Sequence, residues 1–176
     1  MRAARMFVAG LQTAGSLPAT SRVQCALHGS LGATGKGHGS DTAVLLGLAG
    51  HEPETVPIES VAAMVGEIRS TARIRLLGQH EIAWNEREDL SFYRQPLPFH
   101  ANGMRLQAWD AAGTLLAERT YYSVGGGFVV TEELAADGSR QKAIAPDAIP
   151  PFLRTAELAF NRVHRLIKIK GGRLLF

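Results

Sequence analysis

The spacing of apolar and polar positions divides the chain into elements before any motif is considered. Across residues 58–72, Val61, Met64, Val65, Ile68 and Ala72 recur at three- and four-residue steps, which puts them on one face of a helix, and Pro57 suits its first turn. A second helix is predicted to start at Ser40 or Asp41, whose side chains can accept the unpaired N–H groups of a first turn. It should run through Thr42, Leu45, Leu46 and Leu48 to a stop at Gly50. Residues 2–12 are predicted to be helical as well. Strands are predicted at 22–27, 73–77, 80–84, 104–109 and 115–124, and at 128–132 after three successive glycines. Helices early and consecutive strands later predict an α+β fold: a single domain with a mixed β-sheet packed with helices, not a doubly wound parallel sheet.

Composition narrows this picture. With 176 residues, 45% of them apolar, the chain is long enough for one domain with a real core. No segment approaches the roughly 20 apolar residues of a membrane helix. The apolar stretch at 6–11 is too short for a signal-peptide core, so a cytoplasmic protein with no membrane contact is expected. The net charge of +3 has a local origin, because Arg162, Arg165, Lys168, Lys170 and Arg173 all follow the last acid, Glu157. Residues 1–161 are therefore net acidic. Lacking a basic stripe interleaved with aromatics, the chain is not expected to bind nucleic acid. Residues 161–176 stand apart as a basic tail, distinct from a domain over 1–160.

The single cysteine, Cys25, rules out an internal disulfide, a zinc ribbon, or an iron-sulfur cluster held by this chain alone. Cys25 and His28 have the spacing of a ligand pair, but on a strand they point to opposite faces. No metal ligand is therefore assigned, and His51, His80 and His164 read as surface or capping residues. The glycine-rich stretch Gly29-Ser-Leu-Gly-Ala-Thr-Gly-Lys-Gly-His-Gly39 lies between a strand and a helix, where backbone N–H groups and the helix dipole can hold an anion. It fails the P-loop pattern, having Ser30 where glycine is required and Gly37 where a hydroxyl is required, and Ser40 spoils the dinucleotide fingerprint. A plain turn and an anion site both remain open. His100 and Asn102 fall in a turn before a strand, where Asn-Gly is often turn chemistry alone. The triple glycine after Tyr121-Tyr-Ser-Val marks either a bulge or a close approach to something else.

Taken together and in order, four segments resemble the N-terminal β domain of bacterial single-chain iron-sulfur L-serine dehydratases (L-serine ammonia-lyases): the stretch from Gly29 to Asp41, Gly47-Leu-Ala-Gly-His-Glu-Pro-Glu-Thr-Val56, Leu97-Pro-Phe-His-Ala-Asn-Gly-Met104, and Thr120-Tyr-Tyr-Ser-Val-Gly-Gly-Gly-Phe-Val-Val-Thr-Glu-Glu133. The similarity extends from Met1 to about Leu158, with Ser40 where the family usually shows threonine. The resemblance implies a fold like the allosteric substrate-binding domain of D-3-phosphoglycerate dehydrogenase. It also implies that a serine- and histidine-bearing loop of the family precedes the stretch like Met1-Arg-Ala-Ala-Arg5, and that the cysteines of a 4Fe-4S cluster belong to an α domain absent from this sequence. No cofactor is expected on this chain alone, which should then make no pyruvate.

Chemically, the resemblance implies deamination of L-serine to pyruvate and ammonia, in serine catabolism and gluconeogenesis, by a lyase completed by the α domain. A cluster iron would act as Lewis acid on the hydroxyl while a base takes the Cα proton. His38 is assigned as the acid/base residue, with its ring left free at the mouth of the loop and Asp41 positioned to orient it or to cap the helix. Thr34, Gly35, Lys36, Gly37, His100, Asn102 and Ser123 are assigned to substrate, with Lys36 and Asn102 expected to share one concave site. A homodimer is compatible with this reading. The rival is a non-catalytic anion-binding regulatory module of the phosphoglycerate dehydrogenase allosteric type. A pyridoxal phosphate site has no support beyond a lone lysine in a glycine loop.

Overall fold

The computed structural model describes residues 1–124, 128–134 and 140–144. The triple glycine at 125–127, His164 and the basic tail at 161–176 lie outside the described residues. Helix α1 (Arg2–Thr13) leads through a short 3-10 turn into strand β1 (Arg22–Gly29), followed by a one-turn helix α2 (Ser30–Thr34) and by α3 (Ser40–Leu48). A 3-10 turn at Ile58–Ser60 opens α4 (Val61–Thr71), and the hairpin β2 (Arg73–Leu76) and β3 (His80–Ala83) comes next. After the short helix α5 (Glu86–Asp89) come β4 (Leu90–Tyr93), β5 (Asn102–Trp109), β6 (Leu115–Ser123), β7 (Val129–Leu134) and β8 (Arg140–Ile144).

The main sheet runs in the order β4-β1-β5-β6-β7-β8 and is mixed, since β4 lies parallel to β1 while every other pairing in it is antiparallel. This is the predicted α+β architecture. Alternation decides which side of the sheet is covered: Val23, Cys25 and Leu27 of β1 and Met104, Leu106 and Ala108 of β5 are buried in one core with Phe7, Val8 and Leu11 of α1. Helix α3 carries five consecutive buried residues, Val44 to Leu48, because it is enclosed on several sides. Gly47 makes the α1 approach possible, since a Cβ there would lie 2.3 Å from the Met1 carbonyl oxygen.

Several expectations are corrected at the element ends. Helix α3 starts at Ser40, but neither Ser40 nor Asp41 caps it: the N-cap is Gly39 in the left-handed region, with no side-chain bond. The α4 helix ends at Thr71, where Ala72 turns left-handed at φ 52°. Helices α2 and α5 and strands β4 and β8 have no counterpart in the predicted elements. No helix among the described residues is long and apolar enough to cross a membrane.

Candidate active site

The glycine-rich stretch leaves β1 and folds back on the sheet. Gly29 turns the chain at φ 61°, and a Cβ there would lie 2.1 Å from the Ala101 carbonyl oxygen. Gly32 sits one turn on, with its missing Cβ 2.1 Å from Tyr93 O and 2.7 Å from Leu27 O. At Gly35 the added atom would meet Leu31 O and the Phe92 ring. Spaced three apart, these glycines bring α2 directly onto β1 and β4, which is packing chemistry. Gly37 and Gly39 face open space or ordinary contacts.

Thr34 organises the turn at 35–38. Its carbonyl accepts the backbone N–H of Gly37 at 3.0 Å and of His38 at 3.2 Å, and the His38 ring Nδ1 at 3.0 Å. The ring is therefore anchored, not free as expected from the sequence. Because a carbonyl oxygen only accepts, Nδ1 is the donor, and in the neutral ring the lone pair is then on Nε2. The side chain of Asp41 does not orient His38; it pairs with Arg69 at 2.7 Å, and Arg69 also holds Glu86 at 2.8 Å. The Gly37 N–H, expected to face an anion, is used inside the turn.

Lys36 sets its Nζ 5.2 Å from the centroid of the Phe92 ring on β4. It borders a cavity of about 950 Å³ whose wall also includes Arg69, Trp84, Glu86 and Arg87. Trp84 is buried, and its Nε1 has no hydrogen-bond partner among the described residues.

His100, Asn102 and Ser123 form a second group across the sheet. The His100 ring Nδ1 accepts the Asn102 backbone N–H at 3.1 Å, and the Asn102 side-chain amide donates to the Ser123 carbonyl at 3.3 Å. Asn102 pairs with Gly29, and the Ser30 N–H bonds the Ala101 carbonyl at 2.8 Å, so this group abuts the start of the loop. Lys36 and Asn102 nevertheless belong to different surroundings, the former over β4 and the latter on β5, with β1 between these strands. Asn102 is not part of the wall around Lys36. Sequence reasoning alone misses Arg87 and Trp84. One local signal is present, since Asn85 before Glu86-Arg-Glu has the form of a helix cap, and the Asn85 side chain does accept the Arg87 N–H.

Cys25 is buried in the core, where burial pushes its thiol up to about 12, and His28 lies on the opposite face stacked on Tyr93 with ring centroids 5.0 Å apart. The expected divergence of this pair holds.

The family described as serine dehydratase beta chain matches residues 1–134, which takes in both polar groups. The chain belongs to that family. Among its relatives, L-serine dehydratase of Streptomyces coelicolor is 53% identical over 134 residues, 76% of this chain and 30% of the relative. L-serine dehydratase 1 of Escherichia coli K12 is 36% identical over 159 residues, 90% of this chain and 34% of the relative. L-serine dehydratase of Helicobacter pylori J99 is 45% identical over 119 residues, 68% of this chain and 26% of the relative. The chain thus spans about a third of the length of the curated relatives it matches.

Proposed function

We propose that this chain is the β domain of an L-serine ammonia-lyase, and that within the complete enzyme its loop at 34–38 presents a base and a cation to L-serine. The relatives' names favour this over the regulatory-module alternative. The observation that carries the mechanism is the bond from His38 Nδ1 to the Thr34 carbonyl. It fixes the tautomer in which Nε2 is a proton acceptor, at an exposed position two residues from the Lys36 ammonium. Thr34, Gly35 and Gly37 act by shaping the loop, and Lys36 offers charge to the substrate carboxylate. His100, Asn102 and Ser123 supply a second polar group, which abuts the start of the loop at Gly29 and Ser30.

A 4Fe-4S cluster does not fit this chain's donors. It requires several thiolates, and the single thiol present is buried and held protonated. The cluster is assigned to the α domain, which is the partner this reading requires. The reading places the enzyme in the cytoplasm.

The test uses a full-length L-serine dehydratase carrying this β domain. His38→Ala is expected to lower kcat at least about a hundredfold, the scale of a lost general acid or base, with iron content unchanged. A variant with near-normal kcat and a raised KM would reduce His38 to a binding role. The 176-residue chain alone is expected to form no pyruvate from serine.

A further inference from the structure

The cavity beside Lys36 is lined by three cations, Lys36, Arg69 and Arg87, and by one carboxylate, Glu86. Arg69 is compensated, holding Asp41 and Glu86 at once. Lys36 and Arg87 have no carboxylate partner among the described residues, although both border the same space. Asn85 lies there too, its side-chain oxygen occupied by the Arg87 N–H. The same wall carries the apolar side chains of Phe92, Leu90 and Ala72, with the Lys36 ammonium over the Phe92 ring. The buried indole of Trp84 adds an N–H with no acceptor among the described residues, a cost that native structures rarely leave unexplained.

Two cations without a carboxylate partner among the described residues, set next to apolar side chains, suit an anion with an organic body better than a bare inorganic ion. We propose that this cavity binds a small organic carboxylate, with Lys36 and Arg87 facing the carboxylate and Phe92 and Leu90 beneath its carbon skeleton. The identity of that acid as L-serine rests on the function proposed above; the site itself does not. Arg87 thereby becomes a specificity-determining residue supplied from α5, an element far from the glycine loop in sequence. The Phe92 ring is also the platform under Lys36, so this donor is held by a neighbour before any ligand arrives.

The chain has two tryptophans, and Trp109→Phe leaves Trp84 as the sole indole, in the cavity wall. Titration of that variant with sodium L-serine, followed by Trp84 fluorescence at ionic strength matched with sodium chloride, is expected to saturate. Arg87→Gln and Lys36→Met, both at exposed positions, are expected to raise Kd at least about fivefold each, on the scale of one lost charge-assisted contact. Arg87→Lys is expected to retain part of the affinity. Saturation by inorganic phosphate with no response to serine would overturn the carboxylate assignment, and an equal response to chloride would show an adventitious ion only. A Kd unchanged in both substitutions would overturn the site. In the full-length enzyme, Arg87→Gln is expected to raise KM at least about fivefold with kcat nearly intact, as loss of uniform binding does. Wild-type KM there, with His38→Ala still inactive, would refute this inference and leave the dehydratase reading standing.

Discussion

Replacing Gly32 by alanine separates the two readings of the glycine-rich stretch, packing device or anion cradle. The added Cβ would lie 2.1 Å from Tyr93 O and 2.7 Å from Leu27 O, both backbone atoms that cannot rotate aside. Helix α2 must therefore move off the sheet by about an ångström to restore contact distances, an overpacking that costs about 3 kcal/mol at the upper end of its usual range. Alanine's better helix propensity returns about 1 kcal/mol, leaving a net loss of about 2 kcal/mol. For a chain of this length that lowers Tm by about 4–8 °C. Gly37→Ala is the control: its nearest atom would be Thr34 O at 3.6 Å, an ordinary contact, and the change should stay within about 0.5 kcal/mol. Urea unfolding followed by circular dichroism and tryptophan fluorescence measures both. If Gly32→Ala unfolds with the wild-type midpoint while Gly37→Ala is the damaging change, the packing argument is wrong and the loop's glycines serve a ligand.

Two further expectations concern stability. Asp89 is buried, accepting from Arg22 Nε and from the Asn85 N–H at 2.8 Å each, so Asp89→Ala should cost about 2 kcal/mol and Asp89→Asn clearly less; equal midpoints in chemical denaturation would contradict this. Burial raises the Cys25 thiol from 9.0 and the Tyr121 hydroxyl from 10.0, each to about 12. The unfolded chain then gives up these protons first, so their contribution to stability is full below about pH 9 and falls as pH rises from there toward about 12. Cys25→Ala should flatten the early part of that fall and leave the later Tyr121 part, whereas identical slopes in the two proteins between about pH 8 and 10.5 would rule the thiol out.

Strands β1 and β5 are legible in the sequence because each is long enough to show which residues alternate inward, as Val23, Cys25 and Leu27 do, and β6, where Thr120, Tyr121 and Tyr122 are buried in succession, is legible by its β-branched and aromatic residues. Strand β4 is not: Leu90-Ser-Phe-Tyr is four residues long and comes after a charged turn, and its pairing with β1 is a tertiary event that local periodicity cannot carry. The glycines at 29, 32 and 35 give a readable signal of close approach in their three-residue spacing, although the anion reading competes with it. Lys36 and His38 are accessible as a motif. Arg87 and Trp84 are not, because only the β4 pairing carries α5 and the end of β3 to the loop. The expected capping by Ser40 or Asp41 fails because Gly39 already provides the turn and Arg69 claims the carboxylate.

The parallel seating of β4 against β1 also governs when the site can exist during folding. The Arg22–Asp89 ion pair beside that seam joins positions 67 apart, and Phe92 reaches its place under Lys36 by a similarly long closure. Entropy of closing such a loop is lost before the contacts that reward it are made, so this pairing belongs among the slow, late steps, after α1, α3 and the β2–β3 hairpin have collected locally. A chain emerging from the ribosome would display the glycine loop and His38 well before it had a floor for Lys36 to rest on. Assembly of this surface is thus gated by topology: the loop residues wait for a strand that the chain supplies only after α4 and the β2–β3 hairpin.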